Sequence, residues 1–498
     1  MPADDHTRTQ LEAAGRGDGT GLGTGTRTRN DPGDAAGSHG EEQVLPRRLG
    51  VWSATALNIA NMVGIGPFIT IPLFIAKMPG PQALIAWLIA AVLVVCDGLV
   101  WSELGAKYPG SGGSYHFLKQ IFGTTRWGRL IPFLFIWQFL VSGTLEMASG
   151  YIGAMQYLEY IFPTLKSTLA AWHVPGGTGT IASLAALAIT WALCQPMQRL
   201  GGLAVWLCAG TLLTVAVVIG AGLANFRPEL LAFPEQAWRS GGRWLPGLGG
   251  AMLIAVYDYL GYYNVCHLGD EVREPARTIP RAVLISVVLV AAIYLTMNLA
   301  IIGVVPWAEA MTSENIAADF MERLYGRTAA VCLTILILWT VVACMFAIQL
   351  GYSRIPFAAA RHGDFFPAFA RLDSRGEFPV VSLVSLGLLT ALFCHFPLDA
   401  VIQAAVTVRI VLQFLGQLVG LAWLHQREPR DQFPFRMWLY PLPLAVALVG
   451  WLFILASADA MVLLSALGVV VSGIVVFLPW GLRNLPAAPL SSTDRECS

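Results

Sequence analysis

Between residues 51 and 481, apolar stretches follow one another with only short polar breaks between them. A helix that crosses a bilayer needs about 20 consecutive, mostly apolar residues. Stretches of this length recur along most of the chain. The sequence therefore predicts an all-α polytopic membrane protein.

We expect about 12 transmembrane helices. The predicted spans are 51–76, 82–105, 128–161, 180–196, 201–225, 246–268, 282–305, 328–352, 379–396, 399–424, 437–457 and 461–481. The fourth span is short for a crossing, whereas the third is long enough to require tilt or an extension beyond the membrane. An even number of spans puts both termini on the same side.

Composition supports the membrane class and excludes several others. Of the 498 residues, 56% are hydrophobic and 12% are charged, whereas a soluble domain carries about 25% charged residues. Lys+Arg 31 balance Asp+Glu 31, so charge gives no reason to expect a nucleic-acid partner. All the cysteines except Cys497 lie in apolar runs without metal-ligand spacing. We interpret them as small buried hydrophobes and expect no metal and no cofactor.

The two ends of the chain differ from its middle. Residues 1–46 carry almost no large apolar side chain, so we expect a disordered cytosolic tail there. The transmembrane domain is expected over 47–484, with a second cytosolic tail at 485–498. Most of the 31 Lys and Arg fall in segments that are cytoplasmic if the N-terminus is inside. This bias places both termini in the cytosol.

Two of the predicted spans are interrupted near their middle. The first contains Gly64, Gly66 and Pro67, and in a helix interior Gly costs about 1 kcal/mol and Pro about 3 kcal/mol. The sixth carries Asp258 and Gly261 at membrane depth. Irregular backbone is tolerated there only where it lines a cavity, and an acid at that depth is by default a functional hypothesis. The alternative for the first span is a proline kink without a site.

The positions of the two breaks indicate a transport site. If spans 1–5 and 6–10 are related by inversion, the breaks are equivalent, and such a pair points to a binding site at the bilayer midplane. Half-helix N-termini would meet a carboxylate, and half-helix carbonyl ends would meet an ammonium group. A zwitterion therefore suits the site on physical grounds.

Four segments resemble, in order, motifs of the amino acid–polyamine–organocation (APC) superfamily of permeases. They are GIGPF at 64–68, ELGAKYPGSGGSY at 103–115, GDEVREPARTIPRA at 269–282, and the segment 353–367 after the eighth span. The similarity covers about 51–440. Bacterial relatives of the plant polyamine-uptake and L-type amino acid transporter groups look most similar.

This resemblance implies a LeuT-type fold with two inverted five-helix repeats, about 51–225 and 246–424, and two peripheral helices within 437–481. Helices 1 and 6 would be the broken ones. It implies a secondary active transporter that moves amino acids across the cytoplasmic membrane by alternating access, either proton-coupled or by exchange. The alternative is a putrescine-like polyamine or organocation transporter. Because HExxH, GxSxG and Walker motifs are absent from the sequence, we expect no enzyme.

The resemblance also implies two sets of substrate-binding residues. The set that would bind the substrate carboxylate through its backbone is Val63, Gly64, Ile65 and Gly66. The second set is Tyr257, Asp258, Tyr259 and Gly261. The backbone of its first three residues would receive the amine, one of the two tyrosines would act as an aromatic gate, and the Gly261 end would open toward the carboxylate.

Charged residues inside the spans leave alternatives open. Asp258 and Glu146 are either paired to a neighbouring helix or face the cavity, where they take up a proton or bind a cationic substrate. Asp97 and Arg409 are interpreted as paired groups. Thr340 is the nearest hydroxyl for a sodium site, and the fifth span lacks the Lys that many sodium-independent members carry. We prefer a proton as the coupling ion.

Overall fold

The computed structural model describes residues 47 to 484 except 48, 124, 126, 196–200, 236, 238–243 and 374–377, and along 201–208 and 482–484 it describes the backbone alone. The expected tails at 1–46 and 485–498 lie outside the described residues. The regular elements of the described chain are all helical, with only two isolated β-bridges beside them. The prediction of an all-α protein is confirmed.

The helices follow the predicted spans closely. The first half contains α1 (Val51–Met62), α2 (Gly66–Lys77), α3 (Ala83–Lys107), α4 (Ser114–Phe122), α5 (Leu130–Ile161), α6 (Leu165–Ala171), α7 (Thr178–Leu193) and α8 (Gly201–Ala224). The second half contains α9 (Trp244–Tyr259), α10 (Pro275–Ile302), α11 (Trp307–Ala310), α12 (Ile316–Arg361), α13 (Val380–Phe393), α14 (Leu398–Arg409), α15 (Leu415–Arg427), α16 (Leu442–Ala456) and α17 (Ala460–Asn484). A π-helical turn, Ile410–Phe414, joins α14 to α15.

Within the described residues, six helices are long and apolar enough to cross a membrane, counting α14 and α15 as one. The bent pair α1–α2 gives a seventh span if its two halves are taken together. Shorter apolar helices lie at Thr178–Leu193, Ala209–Ala224, Val380–Phe393 and Leu442–Ala456. The protein is therefore a multi-pass membrane protein.

The two interrupted spans lie in the middle of the helix bundle. Helix α1 packs against α10, and both α2 and α3 pack against α9. Helix α5 crosses behind them and contacts α12 and α14. By contrast, α17 leaves apolar side chains such as Leu464, Leu467 and Val475 exposed, as expected of a peripheral helix that faces lipid.

Three of the motif segments meet at one end of the bundle. The Ser111 N–H donates to the Asp270 carboxylate at 2.9 Å, and the Tyr115 hydroxyl donates to Asp364 at 2.5 Å. Lys119 pairs with the same Asp364 carboxylate at 2.6 Å. Burial and the neighbouring Asp364 raise the pKa of Tyr115 well above its ordinary value, so its hydroxyl remains a donor. These contacts join the loops after the second, sixth and eighth spans.

Candidate functional site

The first break is centred on residues 63–65. Val63 leaves the helical conformation, with φ −77° and ψ 95°, and α2 begins at Gly66 with Pro67 in its first turn. The interruption removes the helical partner of the Met62 carbonyl, and the Tyr294 hydroxyl of α10 donates to that carbonyl at 2.6 Å. At the start of α2, Pro67 has no N–H, and the Phe68 N–H donates to the Ile65 carbonyl at 2.9 Å. The positive end of α2 therefore faces the break.

A second irregularity follows within α2. Pro72 has no N–H to donate to the carbonyl of Phe68, four residues earlier. The Tyr157 hydroxyl of α5 donates to this carbonyl at 2.7 Å. The proline is thus compensated by a side chain of a neighbouring helix, as is common for prolines within membranes.

The second break begins where α9 ends at Tyr259. Gly261 adopts a φ of +108°, which favours glycine. A Cβ on Gly261 would lie 2.6 Å from the side-chain nitrogen of Asn61, so the chain also passes close to the end of α1. The Asn58 side chain accepts a hydrogen bond from the Val265 N–H at 2.8 Å. The two breaks are therefore in direct contact.

A small cavity lies between the breaks. It is lined by Asn61, Met62, Gly64, Ile65, Gly66, Glu146, Tyr257, Asp258, Leu260, Cys344, Met345 and Ile348. The structure thus brings six of the predicted site residues to one cavity: Gly64, Ile65, Gly66, Glu146, Tyr257 and Asp258. Val63, Tyr259 and Gly261 lie in the breaks but are not among the lining residues. The volume is about 30 Å³, enough for one or two water molecules.

The Asp258 carboxylate lies beside the first turn of α2. Its Oδ2 accepts a hydrogen bond from the Thr70 hydroxyl at 2.6 Å, whereas its buried Oδ1 has no partner among the residues that the structure describes. A Cβ on Gly66 would lie only 2.1 Å from this Oδ1. Asp258 is 3% exposed, and no cationic side chain of the described chain forms an ion pair with it. Asp258 thus lines the cavity and is also hydrogen-bonded to the neighbouring helix α2, and its function stays a prediction.

Glu146 combines both readings, since it lines the cavity and is also paired. Its Oε2 accepts hydrogen bonds from Arg409 at 2.5 Å and from the Tyr352 hydroxyl at 2.7 Å. Arg409 also donates to the Tyr263 hydroxyl at 3.2 Å and is fully buried. Arg409 is therefore a paired group, as expected. The charge of Glu146 is compensated before any ligand enters.

The remaining polar candidates have partners away from the cavity. Asp97 accepts hydrogen bonds from Tyr262 and, at 3.0 Å, from the indole N–H of Trp451, so it too is a paired group. The Thr340 hydroxyl donates to the Leu336 carbonyl at 3.0 Å. Neither residue lines the cavity.

The two tyrosines of α9 have different surroundings. Tyr257 lines the cavity, and its hydroxyl lies 2.6 Å from the Ser149 hydroxyl of α5. Tyr259 packs against Trp87, with ring centroids 5.5 Å apart. Of the two, Tyr257 is the one placed where an aromatic gate could act.

Sequence reasoning missed the contribution of α12 to the cavity. Cys344 faces the first break, since a Cβ on Gly64 would lie 2.6 Å from its Sγ. Its only sequence signal was a cysteine in an apolar run. The expectation that such cysteines are buried holds for Cys266 and Cys394 but is wrong for Cys332, which is exposed. Cys332 lies on the side of α12 that faces away from the bundle.

Comparison with known proteins identifies the family. A family model described as "Amino acid permease" matches residues 49–490. The chain belongs to this family. It is 26% identical over 360 residues to the human "Large neutral amino acids transporter small subunit 2", covering 71% of this chain and 65% of that protein. It is 24% identical over 469 residues to a Bacillus subtilis "Putative arginine/ornithine antiporter", covering 86% of this chain and 96% of that one.

A solved structure confirms the fold of this permease. The crystal structure of MhsT in complex with L-phenylalanine matches with a TM-score of 0.55 at 15% identity, covering 86% of this chain and 99% of that chain. This match confirms the LeuT-type fold, whereas the family model and the relatives named above confirm membership of the APC superfamily. The chain spans just under two thirds of the length of the human transporter.

Proposed function

We propose that this permease is a secondary active transporter of amino acids in the cytoplasmic membrane, with both termini in the cytosol. One observation carries the proposal: the broken ends of two central helices face each other across one buried cavity. The family and its named relatives support amino acids as the substrate class. As a transporter, and not an enzyme, the protein would release its substrate chemically unchanged.

The two ends of the cavity suit the two ends of an amino acid. The backbone around Val63 and 64–66 lies at the positive end of α2 and would bind the carboxylate. The carbonyl end of α9 at 257–259 would receive the ammonium group, with Gly261 leaving the backbone accessible. In this assignment the backbone at two opposite helix ends binds the two opposite charges of the substrate, so no charged side chain is required to bind them.

Transport requires the cavity to widen. A ligand pocket commonly holds about 300–1,000 Å³, whereas this cavity holds about 30 Å³. The breaks at 63–65 and 260–263 are the places where the helix halves can change their relative angle without losing helical hydrogen bonds. We propose that alternating access proceeds by movement at these two breaks.

The charges of the cavity favour an amino acid over a diamine. A diamine such as putrescine carries two ammonium groups, and two free carboxylates would match them. Arg409 already compensates Glu146, so Asp258 is the acid that remains without a counter-charge in the described site. Coupling is proposed to be either to a proton or to exchange of a second amino acid.

The test is uptake into proteoliposomes that contain the full-length protein. We would measure L-leucine, L-serine, L-arginine and putrescine, each with and without an inward proton gradient, against protein-free liposomes. Saturable uptake of at least one amino acid is the expected result. Saturable putrescine uptake without transport of any amino acid would overturn the proposal.

A further inference from the structure

The Oδ1 atom of Asp258 is a buried acceptor that faces the proposed carboxylate site. Asp258 is 3% exposed, and within the described part of the chain its Oδ1 has no hydrogen-bond partner. The same atom touches Gly66 so closely that a Cβ there would lie 2.1 Å away. Gly66 opens α2. A carboxylate bound at the start of α2 would therefore lie beside Oδ1.

A carboxylate in that position meets another carboxylate. Two carboxylates in contact inside a site cannot both be ionised without a large electrostatic cost, so such a pair holds one proton between its oxygens. The Thr70 hydroxyl already occupies Oδ2 as a donor. Oδ1 is thus the oxygen that is free to carry the proton and to donate it in a hydrogen bond.

We propose that the coupling ion of this permease is a proton bound at Oδ1 of Asp258 and shared with the carboxylate of the substrate. This inference rests on the proposed function, because it takes the substrate carboxylate to bind at 64–66. It adds the identity of the ion, the residue that carries it and a stoichiometry of one proton per substrate.

The other groups around Asp258 do not change charge in the same range. Tyr259 and Tyr294 lie close to it, and Tyr257, Cys344 and Glu146 line the same cavity. Tyrosine and cysteine side chains ordinarily titrate above pH 8. Glu146 is compensated by its neighbour on α14, as described above. Asp258 is therefore the group whose protonation can respond to a gradient around neutral pH.

A competing reading makes Asp258 the counter-ion of the substrate ammonium. The geometry argues against it, because Oδ1 lies beside Gly66, at the positive end of α2. An ammonium group there would face the N–H end of the helix, which repels cations. The carbonyl end of α9 offers the ammonium a better position.

The transport cycle balances in charge and protons. On the outer side, Asp258 takes one proton from water and becomes a neutral carboxylic acid, and the substrate binds with its carboxylate against Oδ1. The complex crosses as one unit. On the inner side the substrate leaves and the proton returns to water. Asp258 is then again the ionised carboxylate of the empty carrier.

The experiment compares the wild type with Asp258→Asn in proteoliposomes, using whichever of L-leucine, L-serine and L-arginine shows saturable uptake. Uptake is measured at external pH 5.5 and 7.5 with the internal pH fixed, and proton entry is followed with a trapped pH-sensitive dye. In the wild type we expect uptake to be about tenfold higher at pH 5.5, corresponding to about 1.4 kcal/mol. One proton should enter per substrate.

In Asp258→Asn the ratio between the two pH values should fall toward one, and the proton gradient should no longer concentrate substrate. The amide can donate a hydrogen bond to the substrate carboxylate but cannot gain or lose a proton. Counterflow of labelled substrate should remain measurable. Glu159→Gln removes an acid of α5 outside the cavity and is the matched control, which should keep the wild-type pH ratio.

Three results would overturn the inference. They are a wild type that takes up substrate without proton entry, an Asp258→Asn variant that keeps the pH ratio, and a variant that loses binding at every pH while the wild type binds best at high pH. The last would make Asp258 the ammonium counter-ion. The measurement of proton entry needs only the wild type, so it decides the identity of the ion and the stoichiometry even if the variant does not fold. Absence of wild-type uptake of any amino acid would instead refute the proposed function.

Discussion

Asp258 and Glu146 line one cavity, yet their surroundings differ in kind. Among the described residues, Glu146 accepts hydrogen bonds from Arg409 and the Tyr352 hydroxyl, whereas Asp258 accepts one from the Thr70 hydroxyl alone and its Oδ1 has no partner. A buried ion pair is costly to break from one side, so the first acid is fixed in place. The second can exchange its proton or its ligand without disturbing a counter-charge. Under the proposed mechanism, Glu146 is a structural acid and Asp258 is the acid that acts in transport.

The largest expected effect comes from breaking the Glu146–Arg409 pair. Arg409→Met removes the buried cation and leaves Glu146 as an uncompensated charge, which costs about 3–5 kcal/mol. We expect a lower yield of monodisperse protein and a clearly lower unfolding temperature in detergent. The double variant Glu146→Gln with Arg409→Met removes both charges and should recover much of the loss. A single variant as stable as the wild type would show that the pair does not hold these helices together.

A smaller effect is expected where the first break touches Asp258. Gly66→Ala places a Cβ 2.1 Å from Oδ1, and overpacking of this kind costs about 1–3 kcal/mol. Uptake should fall by about tenfold or more, since each 1.4 kcal/mol is a factor of ten. Folding should survive, as judged by size-exclusion profile. Gly351→Ala in α12 is the matched control, because a Cβ there meets nothing within 4 Å. Equal uptake in both variants would contradict the proposed close approach at Gly66.

The hydroxyl donors of the two acids provide the third comparison. Thr70→Val removes the donor that Asp258 has, whereas Tyr352→Phe leaves Glu146 with Arg409. An acceptor left without any partner costs about 1–3 kcal/mol, and loss of one hydrogen bond among several costs about 1 kcal/mol. Thr70→Val should therefore lower the unfolding temperature more than Tyr352→Phe does. The opposite order would mean that water or a nearby group replaces Thr70.

Much of the fold and part of the site could be predicted from the sequence. Span positions follow from hydrophobicity, and the breaks follow from Gly64, Gly66 and Pro67 in one span and from Asp258 in the other, because these residues are costly in an ordinary membrane helix. Their equivalence in the inverted repeats needed only counting of spans. These features are local, so a single sequence contains them.

The partners of the charged groups could not be predicted in the same way. Glu146 and Arg409 are 263 residues apart in the chain, and which side chains meet depends on helix rotation and register. The same holds for Cys344, which reaches Gly64 from α12. A single sequence can show that an acid lies inside the membrane. It does not show whether a cationic side chain of another helix pairs with that acid, and this pairing determines what the acid can do.

The smallest expected effect concerns the ion pair between Glu159, which is on the same helix as Glu146, and Lys166 of α6. Their charged atoms are 2.8 Å apart, and the Lys166 side chain is 62% exposed. Exposed pairs contribute about 0–1 kcal/mol because water screens the charges, so Lys166→Ala should shift the unfolding temperature little.

The hydrogen bond with Glu159 raises the pKa of Lys166 above its ordinary value. A raised lysine pKa stabilises the fold at pH values below the pKa of the unfolded chain, about 10.4, and the contribution is lost only as the pH rises beyond that. Between pH 6 and 9 the difference between wild type and variant should therefore stay constant in thermal unfolding. The prediction would be contradicted by a difference in unfolding temperature that changes across this pH range, or by one as large as that of Arg409→Met. Either result would mean that burial is not what distinguishes the Glu146–Arg409 pair from the Glu159–Lys166 pair.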